Sequence, residues 1–220
     1  MDFMLALFIA GYLGQLIANV VLVMQIHKSK SIYGLCDDTQ WVFFVATISR
    51  VFWMHDTRLT SFYIASFEVI TNVLLSAFIC YLCYKHRETK KYDTPYALQW
   101  YFITGACLVL SFFFHPGTKN AYYLTIQMLV SFSLFMECAG LLPQFLVMRK
   151  AKEVEGMTSH YIMCLGGARL IRLAFWLMSY MEGETFGYLI LADLLHTILL
   201  GDFAFYYYKS IRSGRPILLS

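Results

Sequence analysis

The chain is poor in charge and in the residues that interrupt regular structure. Only 14% of its 220 residues are charged, whereas 59% are hydrophobic. Soluble domains carry about 25% charged residues and could not bury so much apolar surface. Four prolines and thirteen glycines are too few for a collagen-like, disordered or linker-rich chain. The net charge of +3 is too small to indicate nucleic-acid binding. The composition therefore indicates an integral membrane protein.

Seven apolar stretches approach the roughly 20 residues that a helix needs to cross the hydrocarbon layer. The alternation that strands of a membrane β-barrel require is absent. We therefore predict an all-α membrane protein with seven transmembrane helices, of which the second is short and contains Arg50. The stretches are Phe3–Ile26, Trp41–Met54, Ser61–Tyr84, Ala97–Phe114, Ala121–Val147, Tyr161–Tyr180 and Tyr188–Tyr208.

The basic residues predict how the chain is oriented. Twelve of the 17 Lys and Arg fall in segments 27–40, 85–96, 148–160 and 209–220, which alternate with the other connecting segments. The remaining connections hold only Arg58 and Lys119. Because cytoplasmic loops are enriched in Lys and Arg, we expect a lumenal N-terminus and a cytosolic C-terminus. The first apolar run is too long for a cleavable signal and lacks a basic segment before it, so we expect it to act as its own insertion signal.

The six cysteines do not form a pattern that predicts disulfides or a metal site. Cys80 and Cys83 have the spacing of a redox or zinc pair, but they lie within an apolar span and no second Cys or His pair is close in sequence. We interpret them as packing residues. No metal and no cofactor are predicted.

An internal repeat relates the two halves of the chain. A shift of 122 residues superimposes Lys28 on Lys150, Lys30 on Lys152, Gly34 on Gly156 and Arg50 on Arg172, and it places Gln15 on Glu137. Since the shift contains an even number of spans, both halves have the same orientation. We predict two parallel three-helix repeats, at about 1–84 and 121–208, joined by a fourth helix at about 97–114 and followed by a cytosolic tail, 209–220.

Ionisable residues within the spans are the candidates for a binding site. Each would cost roughly 3 kcal/mol at mid-depth in lipid, which predicts a polar interior. The alternative to a binding site is a set of ion pairs that only hold helices together, and for Glu68 and Asp193 this structural interpretation is as good as a functional one. The repeat favours convergence of Arg50, Arg169 and Glu137 on one lumenal cavity, where arginines suit an anionic ligand. The remaining charged candidates are Arg172, Asp202 and His196.

Two segments resemble the KDEL receptors, the ER lumen protein retaining receptors. Glu137–Phe145 (E-C-A-G-L-L-P-Q-F) is similar to their E-x3-(I/L)-L-P-Q-(L/F) segment, and Thr158–Tyr161 to their T-S-H-Y motif. The end of the first span at 26–31, Gly34, Arg50, Arg169, Trp176 and Asp202-Phe203 are also in register. The resemblance extends over nearly the whole chain. It implies a seven-helix fold related to PQ-loop and SWEET-type sugar transporters.

The resemblance also implies a function and its residues. Such receptors bind the C-terminal K/H-D-E-L signal of escaped lumenal proteins in the Golgi and return them to the ER. The implied peptide-binding residues are Arg50, opposite the terminal carboxylate, with Arg169, Trp176 and Glu137; Asp202 is implied in transport. Arg172 joins the candidate peptide-binding residues because its spacing places it beside Arg169 on one helix face. Implied partners are the signal peptide, membrane lipid and, through the cytosolic loops and tail, vesicle coat machinery. The alternative is a small-solute transporter that uses the same cavity. An enzyme is not indicated, because no nucleophile–base pair stands out.

Several positions depart from the family pattern. This chain has Phe8 and Ser179 where the receptors have Arg, and Gln15 where they have the His linked to pH sensing. The tail lacks the lysine-rich retrieval signal. Other replacements are Val51, Trp53, Gln127, Ala168, Arg172 and Phe175. We therefore expect altered ligand preference, and we name His196, the only histidine within a span, as the candidate pH switch.

Overall fold

The structure is a computed structural model of the chain. The structure describes residues 2–53, 63–115, 126–151, 153–154, 156–183, 187, 190–198, 200–201, 208 and 217–218. These residues are almost entirely helical. The exceptions are the connections and one antiparallel pair of two-residue strands, β1 (Glu153–Val154) and β2 (Ile217–Leu218).

Each predicted span overlaps a helix in the described residues. Four helical stretches are long and apolar enough to cross a membrane: Ala6–Ser29, Tyr63–Lys85, Met128–Lys150 and His160–Met181. The all-α, multi-pass architecture is thus confirmed. The helices are α1 (Asp2–Ser29), α2 (Asp37–Trp53), α3 (Tyr63–Lys85), α4 (Trp100–Phe113), α5 (Met128–Ala139), α6 (Leu141–Ala151), α7 (Gly156–Met181) and α8 (190–198).

The second helix begins before the apolar stretch that predicted it. Asp37 and Asp38 occupy the first turn of α2, where carboxylates interact favourably with the helix dipole. Asp38 also accepts a hydrogen bond of 3.1 Å from the backbone N–H of Trp100 at the start of α4. The first-turn carboxylates, and not hydrophobicity, therefore mark the beginning of α2, and the bond of Asp38 brings the starts of α2 and α4 together.

The predicted fifth span is divided into α5 and α6 at Gly140. Pro143, in the first turn of α6, has no N–H with which to continue the hydrogen-bond pattern from α5. A Cβ on Gly140 would lie 2.7 Å from Cγ1 of Val42, so the glycine allows the break to pack directly on α2. The interruption therefore serves the contact between the two halves of the chain.

Side-chain contacts define the relative directions of the helices. Gly11 lies against Arg172 and Gly14 against Ala168, so α1 and α7 are antiparallel. Arg172 pairs with Asp193, while Leu200 lies near Gly166, so α8 is antiparallel to α7. By the same reasoning α1 and α3 are parallel, because Phe8 clusters with Ala65, and Ile26 with Cys83. The chain thus crosses the bundle in alternating directions.

Connections rich in Lys and Arg meet at the end of the bundle where α1 stops, which we call the basic end. It comprises residues 30–36 and 86–99. Lys90 binds Asp37 (Nζ–Oδ1 2.6 Å). Gln144, from the Pro-Gln segment, donates to the carbonyl of Gly34 (2.7 Å) and accepts from the N–H of Cys36 (2.8 Å). These bonds join three parts of the chain at the basic end: the segment before α2, the segment before α4, and α6.

Candidate binding site

The first intramembrane ion pair joins α2 to α3. Nη2 of Arg50 lies 2.7 Å from Oε2 of Glu68, and the two residues are 0% and 2% exposed. Oε1 of Glu68 accepts a hydrogen bond from Asn72 (2.9 Å), whose own oxygen accepts one from Asn19 on α1 (2.5 Å). A polar chain across three helices therefore holds the carboxylate that neutralises Arg50.

The second cluster joins α5, α7 and α8. Oε2 of Glu137 lies 2.5 Å from Nη1 of both Arg169 and Arg172. Arg172 also binds Asp193 with two parallel bonds, Nε to Oδ2 (2.9 Å) and Nη2 to Oδ1 (2.5 Å). This fork is the strong, planar geometry that arginine and carboxylate favour. Arg169 and Arg172 lie on one face of α7, as their spacing predicts.

Tyr12 on α1 lies close to both clusters. Its ring centroid lies 3.6 Å from Cζ of Arg50 and 5.6 Å from Cζ of Arg172. Cation–π attraction to one ring face stabilises each guanidinium in this low-dielectric interior. Sequence reasoning missed Tyr12, because an aromatic residue in an apolar run gives no signal that distinguishes it from a lipid-facing one.

The described charges in this interior balance, with three arginines against Glu68, Glu137 and Asp193. Not every hydrogen-bonding atom is satisfied, however. Nε and Nη1 of Arg50, Nε and Nη2 of Arg169, and Oε1 of Glu137 have no partner. Since buried polar atoms are normally paired, these free donors and one free acceptor are the places where a polar ligand can bind.

Aromatic side chains cover the charged cluster on the side away from the basic end. Phe8 packs on Tyr12 and Phe175, with ring centroids 4.8 and 5.1 Å apart. Trp176, which is 6% exposed, packs on Phe175 and clusters with Leu134. Phe8 and Phe175 thus place an apolar layer where the family pattern has polar residues.

The remaining predicted residues have different positions. His196 on α8 is 0% exposed, and neither ring nitrogen has a hydrogen-bond partner. Asp202 lies outside the described residues. A cavity of about 640 Å³ between α4, α5 and α8 has an apolar lining that includes Cys107, Phe135 and Leu195. None of the predicted site residues lines this cavity.

One group of potential metal ligands lies at the basic end. The ligand atoms of Cys36, Asp37 and Asp38 are within 4.8 Å of one another. Asp37 and Asp38 already bind Lys90 and the N–H of Trp100. Burial raises the pKa of the Cys36 thiol, which disfavours the thiolate that a metal requires. We assign these residues to loop packing.

Comparison with known proteins agrees with the motifs. A family model described as "ER lumen protein retaining receptor" matches residues 31–179. The chain belongs to the ER lumen protein retaining receptor family. It is 30% identical over 217 residues to the ER lumen protein-retaining receptor of Dictyostelium discoideum, covering 95% of this chain and 97% of the relative. It is 28% identical to ER lumen protein-retaining receptor 3 of Mus musculus and 25% to the Drosophila melanogaster receptor, each covering 96% of both chains.

The part of the chain that matches the family model contains most of the charged cluster. Arg50, Glu137, Arg169, Arg172 and Trp176 all lie within residues 31–179. Asp193, which binds Arg172, and His196 both lie on α8 and beyond that range. The buried ion network is therefore assembled from the family-matched part together with the last described helix.

Proposed function

We propose that this protein is a retention receptor, which binds the C-terminal signal of lumenal proteins in the Golgi and returns them to the ER. The observation that carries the proposal is a buried cluster of three arginines, two of which have free N–H groups, in a chain of the ER lumen protein retaining receptor family. A C-terminal signal ends in a carboxylate, and a desolvated guanidinium binds this group strongly.

The proposed binding residues are Arg50, Arg169, Arg172, Trp176 and Glu137. The guanidinium N–H groups provide donors for ligand carboxylates, and the free Oε1 of Glu137 is an acceptor for a ligand N–H or ammonium. Trp176 contributes apolar surface beside them. The residues are buried in this structure, so we infer that the aromatic layer must open before a peptide enters.

We propose the orientation that the basic residues predict, with the N-terminus lumenal and the basic end cytosolic. The ligand would then enter at the end opposite the basic end, from the compartment that contains the signal. The cytosolic loops and tail 209–220 would contact the coat machinery, with Asp202 as a transport residue, and lipid would surround the bundle.

Two parallel repeats are supported by the two ion pairs, each of which joins the second helix of a half to its third.

His196 is the proposed pH switch. The charged groups that face it are Arg169 and Arg172 from α7 and Glu137 from α5, with Asp193 one turn away on its own helix. Protonation would add a positive charge to this cluster and would strengthen binding of an anionic ligand at lower pH.

Receptor and transporter make different demands on the basic end. A transporter must open at both ends, whereas a receptor can keep one end closed with fixed bonds such as those of Lys90 and Gln144. Nothing in the structure or the comparisons favours the transporter alternative. An enzymatic function is not part of the proposal.

Retention in cells tests the proposed function. Cells that lack their own retention receptor secrete a lumenal reporter with a C-terminal retention signal. Expression of this protein should restore retention of the reporter, and a reporter with a scrambled tail should still be secreted. Continued secretion of every signal-bearing reporter, with the protein present in the Golgi, would refute the proposal.

A further inference from the structure

The apolar cavity between α4, α5 and α8 lies apart from the charged cluster. Its volume of about 640 Å³ falls within the range of about 300–1,000 Å³ that is typical of small-molecule sites. The side chains that line it are aliphatic, aromatic or cysteine. A polar group inside this space would give up its hydrogen bonds to water without replacement. The cavity therefore suits a hydrocarbon.

The cavity extends through one half of the bundle. α4 begins beside the basic end and lines the cavity from Cys107, in the middle of the helix, to Phe114, just beyond its last residue. α8 runs in the opposite direction and lines the cavity from Leu191 to Ile198. Each wall is about 10 Å long at 1.5 Å per residue. The walls therefore fit within one leaflet, whose hydrocarbon layer is roughly 15 Å thick, at the end of the bundle opposite the basic end.

The opening of the cavity is continuous with the surface that faces lipid. Cys107 and Ala192 are buried on its inner side, whereas Leu110 and Leu195 are about half exposed. The exposed apolar surface continues along α4 beyond the cavity, for example at Val109. Outward apolar side chains of helices that cross a membrane contact acyl chains. A molecule therefore reaches this cavity from within the bilayer.

Acyl chains meet this opening directly, and they can fit the shape of the lining. Within a bilayer the hydrophobic effect does not distinguish lipid from apolar protein surface, so an occupant is held by van der Waals contact. An empty space would forfeit these contacts. The lining side chains come from several helices and form an irregular wall. A flexible chain can adapt its torsions to such a wall, whereas a rigid sterol ring system cannot.

The cavity adjoins the ion network that holds Arg172. Cys138 follows Glu137 on α5, and Ala192 precedes Asp193 on α8. Neighbouring residues on a helix point about 100° apart, so the cavity and the ion network lie on adjacent sides of the same two helices. A chain in the cavity would therefore pack against both helices next to this bridge and would stabilise their spacing.

We propose that this cavity, which we call the acyl pocket, holds one acyl chain of a phospholipid from the leaflet opposite the basic end. The headgroup lies outside the pocket, beyond Phe114. The bound chain is a structural part of the membrane-embedded fold and supports the packing of α5 against α8. This inference is independent of any ligand that binds the charged cluster.

Two matched pairs of variants test the proposal. Leu110→Trp and Leu195→Trp place a bulky ring in the lining of the acyl pocket. Leu108→Trp and Leu194→Trp add the same ring to the same helices outside this lining. Leu108 and Leu110 are each 46% exposed, so the pair on α4 is matched in exposure. The protein is placed in phosphatidylcholine nanodiscs with a trace of phosphatidylcholine that carries a photoreactive group in its acyl chain, and labelled residues are identified by mass spectrometry.

In the unmodified protein, the label should concentrate on segments 107–114 and 191–198, more than on the more exposed outer face of α3 at Phe67 and Leu74. It should fall about tenfold in Leu110→Trp and in Leu195→Trp, because the ring fills the site, and should persist in both controls. Phosphatidylcholine added to delipidated protein should raise the Tm of the unmodified protein and the controls, but not that of the two pocket variants.

Labelling that follows exposure alone, with α3 labelled as strongly as the acyl pocket, would overturn the proposal, because it indicates ordinary surrounding lipid. Equal labelling of the pocket variants and their controls would do so as well. Removal of the label by excess cholesterol would assign the pocket to a sterol and contradict the acyl-chain assignment. The two pocket variants lie on different helices, so misfolding of one leaves the other as a test, and the labelling pattern of the unmodified protein needs neither.

Discussion

Glu137 is the residue on which the charged interior most depends, and its neutralisation provides a quantitative test. Glu137→Gln keeps the size of the side chain but removes the charge that lies 2.5 Å from both Arg169 and Arg172. Arg172 would retain its fork with Asp193, whereas Arg169 would lose its only described ion pair. A buried charge that loses its partner costs about 3–5 kcal/mol.

This cost predicts a large change in melting temperature. At about 2–4 °C per kcal/mol for a chain of this size, Glu137→Gln should lower Tm by roughly 6–20 °C. The measurement is thermal unfolding of purified protein in one fixed detergent or nanodisc preparation. Asp193→Asn should cost less, because Arg172 would keep Glu137. The double variant Glu137→Gln with Arg169→Gln, which restores neutrality, should recover part of the loss.

A small effect would contradict this reasoning. If Glu137→Gln changed Tm by less than about 2 °C, the carboxylate would contribute below about 1 kcal/mol. The two arginines would then have other counter-ions, and the ion network described above would not be what holds α5, α7 and α8 together.

Further predictions concern packing, the basic end and ligand binding. Gly14→Ala should destabilise the protein by about 1–3 kcal/mol, since the new Cβ would lie 2.9 Å from a side chain of α7. Gly105→Ala on α4 should not destabilise the protein, because no atom lies within 4 Å of the new Cβ. Equal Tm values for the two variants would contradict this. Burial lowers the pKa of Lys90, but the hydrogen bond and charge interaction with Asp37 outweigh burial and raise this pKa above its ordinary value of 10.5. The ion pair therefore stabilises the folded protein fully below pH 10.5, and this stabilisation is lost as the pH rises through the raised pKa of Lys90 in the folded state. The stability difference between the unmodified protein and Lys90→Gln should therefore vanish at high pH; a constant difference would argue against the pair. On a peptide array, preference for two acidic residues before the last Leu should be weak, because two cations of the family pattern are absent; a wide margin for K-D-E-L over every variant would refute this. Any change of affinity between about pH 5 and 7.5 should disappear in His196→Gln, and a steep dependence that survives would reassign the switch.

The sequence was sufficient for the membrane-spanning architecture. Long apolar runs have few structural alternatives in lipid, because every backbone polar group must be bonded internally. The beginning of α2 was not predictable, since Asp37 and Asp38 act through the helix dipole and tertiary bonds that no hydropathy pattern contains. The division of the fifth span depends on the contact of Gly140 with Val42, which is a property of the packed bundle.

The candidate site was predicted in its members but not in its pairings. Charged residues are conspicuous in apolar helices, so Arg50, Arg169 and Glu137 were identified directly. Which carboxylate meets which arginine depends on helix rotation and register, and apolar residues around each helix leave both undetermined. Tyr12 was missed for the same reason. Its role comes from its closeness to two guanidinium groups, and no feature of the run around it indicates that position.

The claim that the buried arginine cluster recognises a free C-terminus is tested most directly by one binding measurement. Purified protein in nanodiscs is titrated with a library of lumenal C-terminal peptides and with the same library amidated at the C-terminus. The receptor function predicts saturable binding of a subset of the free acids and loss of about tenfold or more in affinity on amidation. Equal binding of the acid and amide libraries, or binding of neither, would contradict it.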